Sequence, residues 1–313
     1  MPSNRLTLLD AAKLNASDKV VGLIEEVVTE APEFTVLPVR TIKGTSYKTV
    51  LRTGLPSVGF RKVNQGVDAA KSTFETKLVE CYPLAGRVEV DKAASLAYED
   101  GEAAYEAIES AGVMKQSLIE IGSQVFYGTS VDANGFPGLI AMVDSSMVLD
   151  AGGTTAGTGS SVWGVKYGPQ DLQLILGGGM VLDLGAFRDE TIYDAASKPL
   201  PGRVADLIGW IGLQCVSRYS VSRLKDATAD SGKGVTDAKL SELLSKAPVG
   251  RKPDAWFMTR RSAFQLQSSR SATTNATGAK SGTGREVFAP MPTESCGIPI
   301  VVTDSLTDTE TLS

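Results

Sequence analysis

Acidic side chains are concentrated in one short part of the chain. Seven carboxylates occur between residues 89 and 109, and Lys92 is the one basic residue in that interval. They belong to Glu89, Asp91, Glu99, Asp100, Glu102, Glu106 and Glu109. Two carboxylates held in a cleft with different pKa values are the usual apparatus of general acid–base catalysis. Several of these residues occupy solvated positions of a helical pattern, so a charged surface is favoured and a carboxylate-dependent soluble enzyme is the alternative.

The sequence contains no histidine. Its absence excludes Ser–His–Asp and Cys–His catalysis and most zinc sites, because each of them needs an imidazole. Cys81, Cys215 and Cys296 are widely spaced and odd in number, which predicts buried thiols in a reducing compartment. We therefore predict no catalytic residue, no metal site and no cofactor, and we expect a protein that is not an enzyme.

Three short motifs resemble ligand-binding loops only in part. Gly177–Gly179 lacks the glycine spacing of a dinucleotide site, and we predict a hairpin turn there. The segment Asp230–Thr236 contains Gly-Lys-Gly but lacks the first glycine of a phosphate-binding loop, which favours a solvated linker. Asp132, Asn134 and Asp144 do not match the register of a calcium loop, and Asx-type turns are the simpler interpretation.

Basic side chains are concentrated in a second interval, Phe34 to Val67, which has no acidic residue. They belong to Arg40, Lys43, Lys48, Arg52, Arg61 and Lys62. The alternation of Val36–Ile42, a turn at 43–46 and the run Tyr47–Arg52 predict a two-stranded excursion. A strand pair this long and this polar cannot bury itself against its own domain.

Three interpretations of this excursion are open: contact with nucleic acid phosphates, contact with an acidic protein surface, or a solvated hairpin. The net charge of −5 argues against a protein that coats nucleic acid. Because a matching acidic interval lies on the same chain, we predict that the excursion contacts a neighbouring copy. The predicted inter-subunit residues are Arg40, Lys43, Lys48, Arg52, Arg61 and Lys62 on one subunit and Glu99, Glu102, Glu106 and Glu109 on the next.

The composition is that of a folded globular chain, with 42% apolar and 21% charged residues. A length of 313 residues is enough for one large domain or two modest ones. No apolar run approaches the roughly 20 residues that span a bilayer, and no signal peptide opens the sequence. We therefore expect no association with a membrane.

The helical patterns must position the acidic interval. A helix capped by Ser17 is predicted before Pro32, and a much longer one at about 101–127 that ends in a glycine cap at Gly128. Gly112 and Gly122 are costly inside such a helix, so both predict a closely packed surface. Further helices are predicted after Thr236 and at 260–268, followed by a loop at 269–285.

The strand patterns surround this long helix. Strands are predicted at 74–82, 87–91, 161–167, 171–176, 208–215, 219–224, 254–258 and 297–304. The polar stretch at 226–234 predicts a domain boundary.

The order of these parts is similar to that of the major capsid proteins of tailed bacteriophages, which have the Hong Kong 97 type fold. The resemblance covers most of the chain and comes from the succession of parts, since no single motif is diagnostic. It is carried by Arg40-Thr-Ile-Lys-Gly-Thr-Ser-Tyr-Lys48, Ile121-Gly-Ser-Gln-Val-Phe-Tyr-Gly128, Gly135-Phe-Pro-Gly-Leu139, Trp256-Phe-Met-Thr-Arg-Arg-Ser-Ala-Phe264 and Gly297-Ile-Pro-Ile-Val-Val-Thr-Asp304.

The resemblance implies an α+β fold with four parts. These are an N-terminal arm (1–35), an extended β-hairpin loop (36–80), a peripheral domain (81–225) with a spine helix at about 101–127, and an axial domain (226–313). In function it implies a shell protein that assembles into hexamers and pentamers of an icosahedral capsid around double-stranded DNA. The protein would then reside in the virion, after assembly in the cytoplasm of a host bacterium, and would contact the packaged DNA non-specifically.

Two departures from the family pattern bear on this expectation. The strand block 161–224 precedes the axial-type helices, which leaves a permuted topology open. The chain also lacks a long N-terminal scaffolding segment, so separate scaffold and portal proteins are expected and decoration proteins are possible partners.

Some relatives join subunits by a Lys–Asn isopeptide bond. The candidates here are Lys43, Lys62 or Lys71 with Asn275, but no motif selects them and we do not predict a crosslink.

One rival shares the fold. A cell-encoded nanocompartment would form a similar shell around an enzyme, and genome-length nucleic acid inside the particle would decide against it.

Overall fold

A computed structural model describes residues 5–6, 8–15, 26–27, 29–179, 182–274 and 290–312. The helix predicted after Ser17 and the candidate amide Asn275 lie outside these residues. The helices are α1 (Leu8–Asn15), α2 (Glu33–Val36), α3 (Lys92–Leu96), α4 (Glu102–Tyr127), α5 (Leu139–Met142), α6 (Asp237–Ser245) and α7 (Arg260–Thr274). The strands are β1 (Val39–Thr41), β2 (Ser46–Gly54), β3 (Thr73–Glu80), β4 (Tyr82–Asp91), β5 (Val148–Asp150), β6 (Ser160–Val165), β7 (Leu172–Leu176), β8 (Asp183–Leu184), β9 (Arg188–Tyr193), β10 (Pro199–Cys215), β11 (Val221–Ala227), β12 (Ala255–Met258), β13 (Glu294–Ser295) and β14 (Ile298–Val302).

The described strands form two six-stranded sheets and one separate pair. In the first sheet the order is β1-β7-β10-β4, with β8 and β9 also paired to β10. In the second sheet the order is β13-β14-β12-β6-β11-β5. The separate pair is β2 with β3. Together with the helices, this architecture is the α+β class that the sequence predicts.

The longest strand organises the first sheet. β10 runs for 17 residues and pairs with β4 on one side over Gly202–Ile211. On its other side it pairs with β9, β8 and β7 in succession. Gly177–Gly179 therefore connects two segments that lie along the same partner strand, and the predicted hairpin turn is wrong. The amides of these glycines instead donate to Trp210, Gly44 and Ile42 carbonyl oxygens.

The long helix α4 joins the two sheets. It spans Glu102–Tyr127, which confirms the prediction of a helix at about 101–127. Near its C-terminus, Phe126 packs against Trp163 and Phe257 of the second sheet, with ring centroids 6.2 and 5.7 Å apart. The same buried cluster contains Leu174 and Leu213 of the first sheet. One core thus lies between the sheets, with the end of α4 inside it.

The two glycines of α4 have different surroundings. A Cβ at Gly122 would lie 2.4 Å from the Ser305 hydroxyl, so that position requires glycine for close packing, as predicted. A Cβ at Gly112 would meet no atom within 4 Å. The prediction of a packed surface at Gly112 is therefore wrong, because this side of the helix is exposed.

The strands predicted between residues 161 and 224 are divided between the two sheets. β6 and β11 belong to the second sheet, next to β12 and β14, whereas β7 and β10 belong to the first. A division at residue 225 would separate β6 and β11 from β12 and β14, which belong to the same sheet. The four-part division and the permuted topology stay predictions.

The C-terminal segment returns across the end of α4 and is held by a buried ion pair. Arg223 Nη2 lies 3.1 Å from Glu310 Oε2, and both side chains are buried. The Glu310 carboxylate also accepts hydrogen bonds from the Ser161 and Tyr127 hydroxyls, at 2.5 and 2.6 Å. Because it binds Arg223, Ser161 and Tyr127 at once, this carboxylate fixes the path of the tail.

Smaller predictions have mixed outcomes. Asp132 and Asp144 each accept the backbone N–H two residues later, which confirms Asx-type turns. Thr236 caps α6 by accepting the Lys239 N–H at 3.3 Å, as predicted. Cys296 is exposed and so does not fit the prediction of three buried thiols. Helix α7 continues to Thr274, six residues beyond the predicted end at 268.

Among the helices that the structure describes, we find none with the length and apolar character needed to cross a membrane.

Candidate assembly surface

The basic interval forms an arm, but its strands pair differently from the prediction. β2 pairs with β3 in an antiparallel ladder from Ser46↔Glu80 to Gly54↔Thr73. β1, the other predicted member of the excursion, pairs in parallel with β7 in the first sheet. We therefore define the arm as residues 46–80, with β2 and β3 as its stem and 55–72 as its connecting segment.

The stem of the arm has one face that carries large apolar side chains into solvent. Val50, Phe74 and Leu78 are 66%, 62% and 54% exposed, and they lie on the same face because strand residues alternate. Lys48 and Arg52 share this face, opposite Leu78 and Phe74 in the register. The Arg52 guanidinium lies 5.5 Å from the centre of the Phe74 ring. An apolar face bordered by cations is therefore available for contact.

The connecting segment is exposed along its whole length except at Ser72. Its exposed large apolar side chains belong to Leu55, Val58, Phe60, Val63 and Val67. Soluble monomers rarely leave this much contiguous apolar surface in water, so such surface usually marks a binding site.

The six predicted cations occupy three different places. Lys48 and Arg52 lie on the stem, and Arg61 and Lys62 lie in the connecting segment. Arg40 is in β1, outside the arm, with its guanidinium 5.4 Å from the centre of the Tyr47 ring. Lys43 lies in the turn that leads into the arm. Within the described part of the chain, these six cations form no ion pair with a carboxylate.

Two of the four predicted acidic partners are engaged within their own subunit. Arg203 of β10 places Nη1 3.3 Å from Glu102 Oε2 and Nε 3.1 Å from Glu106 Oε1. Glu106 is buried, and this burial raises the pKa of its carboxyl group although Arg203 opposes the shift. Within the subunit, these two carboxylates therefore face Arg203. Their predicted contact with the arm of a neighbour stays a prediction.

The other two predicted acidic residues remain closer to the surface. Glu99 is exposed, and its backbone N–H donates to the Asn15 side chain at 3.0 Å. Glu109 is partly buried, and burial and the nearby Asp10 raise the pKa of its carboxyl group. Neither has a cationic partner among the described residues, so both remain candidates for contact with a basic residue of a neighbouring subunit.

Strand pairing joins Arg87, which lies just before the acidic interval, and Arg188 to carboxylates on neighbouring strands of the first sheet. Arg87 contacts Glu89, Glu190 and Asp206 within 3.6 Å. Arg188 lies 2.5 Å from Asp206. The spacing of residues along the sequence does not reveal these pairs, because β4, β9 and β10 become neighbours only in the sheet. Within the acidic interval Arg87 engages Glu89, and the other partners of these two cations lie on β9 and β10.

The segment that resembled a phosphate loop has a structural role. The Asp230 carboxylate accepts hydrogen bonds from the Thr154 and Thr155 backbone N–H groups and from the Thr155 and Thr228 hydroxyls. These donors lower the pKa of Asp230 well below its ordinary value, the Thr155 hydroxyl most. A carboxylate therefore holds the start of the segment against the 154–155 loop, while residues 231–233 are exposed, as expected of a solvated linker. Among the described residues, no group of three His, Cys, Asp or Glu side chains is arranged to hold a metal ion.

Comparison with known proteins supplies the context for the arm. The model of the family described as major capsid protein GP7 matches residues 17–312. A chain from the structure of bacteriophage Epsilon15 is similar in fold, with a TM-score of 0.66 at 17% identity over 99% of this chain and 98% of that one. No curated protein matches the sequence.

Two further structures give lower scores. The capsid of Myoviridae phage XM1 has a TM-score of 0.46 at 10% identity, over 68% of this chain and 97% of that one. The SrpI encapsulin complex of Synechococcus elongatus PCC 7942 has a TM-score of 0.46 at 9% identity, over 70% and 95%. Scores this low carry no argument in favour of either kind of shell.

Proposed function

Because the chain belongs to the major capsid protein GP7 family, we propose that its arm is the element by which one subunit binds the next in the shell. The chain is a shell-forming structural protein with the Hong Kong 97 type fold. The finer proposal is that subunits form hexamers and pentamers through the arm, and that these close into an icosahedral capsid around double-stranded DNA.

The uncovered stem of the arm is the observation that supports this role. Two strands without a third partner are marginally stable in water. The stem nevertheless presents Val50, Phe74 and Leu78 to solvent on one face. Burying these side chains against a neighbour would remove their apolar surface from water and stabilise the arm and the contact together. Assembly therefore completes a part of the fold that a single subunit leaves open.

The cations then have a more limited role than the sequence suggests. Lys48 and Arg52 border the apolar face and would select the orientation of the neighbour, with Glu99 and Glu109 as the candidate acidic partners. Exposed ion pairs contribute about 0–1 kcal/mol each, so they set specificity while the apolar side chains supply most of the free energy. Weak individual pairs also allow a misplaced subunit to dissociate.

The family also supports an account of partners and location. A shell protein of a tailed phage would reside in the virion and assemble in the bacterial cytoplasm, with separate scaffold and portal proteins. Decoration proteins are further candidates. Packaged DNA would be contacted without sequence preference, consistent with a net charge of −5 that offers little general attraction for phosphates.

Substitutions on the arm test the proposal. We expect Phe74→Ser, and separately the double reversal Arg52→Glu with Arg61→Glu, to abolish rings and particles of the full-length protein. The subunit should stay folded, because these side chains are exposed. Native mass spectrometry would count subunits in the rings, and negative-stain electron microscopy would show the particles.

Lys198→Glu is the matched control, since Lys198 is an exposed cation in the turn between β9 and β10. We expect it to assemble normally. Normal particles from both arm variants would mean that the arm does not organise the shell.

A further inference from the structure

We propose that a buried polar network, placed where the chain crosses between the two sheets, fixes the arm to the second sheet and couples their positions. We call this network the crossover joint; its members are Asp171, Gln173, Gln214 and Ser220. Tyr47 connects it to the arm and Arg251 connects it to the second sheet. The proposal concerns the single subunit and does not depend on the arm binding a neighbour.

The joint lies where two crossovers meet. The chain passes from β6 to β7 through residues 166–171, and it returns from β10 to β11 through residues 216–220. The Lys166 N–H donates to the Ser220 carbonyl oxygen at 2.8 Å, and the Val216 N–H donates to the Asp171 carbonyl oxygen at 3.4 Å. The two connections between the sheets are therefore bonded to each other.

Side chains fill the space around these connections with hydrogen bonds. Gln214 Nε2 donates to the Pro169 carbonyl oxygen at 2.9 Å, and its Oε1 accepts from Gln173 Nε2 at 2.7 Å. Asp171 Oδ1 accepts from the Ser220 hydroxyl at 2.8 Å. All four members of the joint are buried. A buried polar network with its partners in place has one favourable geometry, whereas apolar packing alone tolerates sliding.

The arm contacts the crossover joint through Tyr47 of β2. The Tyr47 hydroxyl donates to Gln214 Oε1, the same oxygen that Gln173 binds. Beside it the Cys81 N–H donates to the Thr45 carbonyl oxygen at 2.8 Å, which closes the base of the arm. A Cβ at Gly212 would lie 2.4 Å from the Glu80 carbonyl oxygen, so the base of the arm rests directly on β10.

The connection that leads into β12 of the second sheet contacts the crossover joint through Arg251. Arg251, in the connection between α6 and β12, places Nη1 2.7 Å from Asp171 Oδ1. Three residues later, Asp254 binds the first crossover, with Oδ2 accepting the Tyr167 N–H at 3.1 Å. Gln214 Nε2 also donates to the Asp171 carbonyl oxygen at 3.5 Å, so contacts lead from Tyr47 through Gln214 and Asp171 to Arg251. Removing the contact at Arg251 should therefore increase the mobility of the arm near Tyr47, and removing the contact at Tyr47 should increase the mobility of the crossover near Arg251.

Hydrogen–deuterium exchange on the full-length, unassembled chain tests this coupling. Arg251→Ala alters a partly exposed side chain in the connection that leads into the second sheet, and we expect it to speed exchange of the Cys81 amide at the base of the arm. Tyr47→Phe removes one oxygen atom from the arm, and we expect it to speed exchange of the Lys166 amide in the first crossover. Losing one hydrogen bond should accelerate each amide by about two- to tenfold.

Combining the two variants distinguishes coupling from separate local effects. Each amide is measured in both single variants and in the double variant. If the crossover joint couples the two ends, the acceleration of each amide in the double variant should be smaller than the product of its accelerations in the two single variants. Arg260→Ala and Tyr193→Phe are matched controls on exposed residues and should change neither amide. Changes confined to the neighbourhood of each substitution, or purely multiplicative effects, would overturn the proposal. A failure of the arm variants to block shell formation would leave this result untouched.

Discussion

At the scale of single residues, Glu33 shows how the beginning and end of the described chain are joined. Its side chain is fully buried and accepts hydrogen bonds from the Thr303 and Ser305 hydroxyls. Asp304 adds a nearby negative charge, and its carboxylate accepts the Glu30 N–H at 3.1 Å. Burial, more than any other influence, raises the pKa of the Glu33 carboxyl group above its ordinary value of 4.5.

The raised pKa of Glu33 gives a prediction with a definite sign. The folded chain holds this proton more tightly than the unfolded chain, so the contribution of Glu33 to stability falls as the pH rises from 4.5 through the raised pKa. Glu33→Gln, which keeps an acceptor without the charge, should remove this loss. The stability gained by the variant over the wild type should therefore grow with pH in urea denaturation between about pH 4 and 8.

Glu75→Gln provides the control, because Glu75 is exposed on the arm. It measures the effect of exchanging a carboxyl group for an amide away from the buried site. A difference between Glu33→Gln and the wild type that does not change with pH would show that the buried Glu33 carboxyl group does not titrate in this way.

At the scale of elements, the end of α4 depends on two backbones that meet closely. Gly128 has φ +58° and ψ −133°, a backbone conformation that is unfavourable for residues other than glycine. A Cβ there would lie 2.1 Å from the Gly138 nitrogen. Glycine at 128 therefore ends the helix and also lets the 132–138 loop pack against it.

The contrast between Gly128 and Gly112 gives an element-scale prediction. Gly128→Ala should destabilise the subunit by about 3 kcal/mol or more, because backbone strain and a collision with backbone atoms add together. Gly112→Ala should stabilise it by about 0.5–1 kcal/mol, because alanine is the better helix former and nothing obstructs its methyl group. Thermal or urea denaturation of the two variants would measure both signs. Destabilisation by Gly112→Ala would mean that this face of the helix is packed after all.

At the scale of the whole molecule, the arm is the part that one subunit leaves unsupported. The body has a core between its sheets and a buried ion pair that holds its tail. The connecting segment of the arm is exposed over nearly all of residues 55–72. A contact that covers the arm in the shell would change its accessibility more than that of the body.

This difference predicts a pattern of proteolysis. Within the part of the chain that the structure describes, trypsin should cleave the unassembled protein first after Arg61 and Lys62, which are exposed in the connecting segment. Assembled particles should be cleaved there at least about tenfold more slowly, because cleavage requires the arm to leave its neighbour. Mass spectrometry of timed digests would identify the sites. Equal rates in both states would show that the arm stays uncovered in the shell.

The amino-acid sequence by itself determined the elements whose signals are local. The spine helix, the cap at Thr236, the Asx turns and most strands follow from periodicity and turn chemistry within about ten residues. The exposure of the cations Lys48, Arg52, Arg61 and Lys62 also follows, since charged side chains without partners stay in water. The order of these parts was enough to indicate the capsid family before any tertiary structure.

Only the tertiary structure decided which strands pair and which charges remain available. β1 joins β7 instead of β2, and β6 and β11 join the second sheet, because pairing depends on partners more than fifty residues away. Arg203 of β10 pairs with Glu102 and Glu106 for the same reason. A local pattern specifies which side chains are polar, but only the packed sheets decide whether each one faces its own subunit or the next.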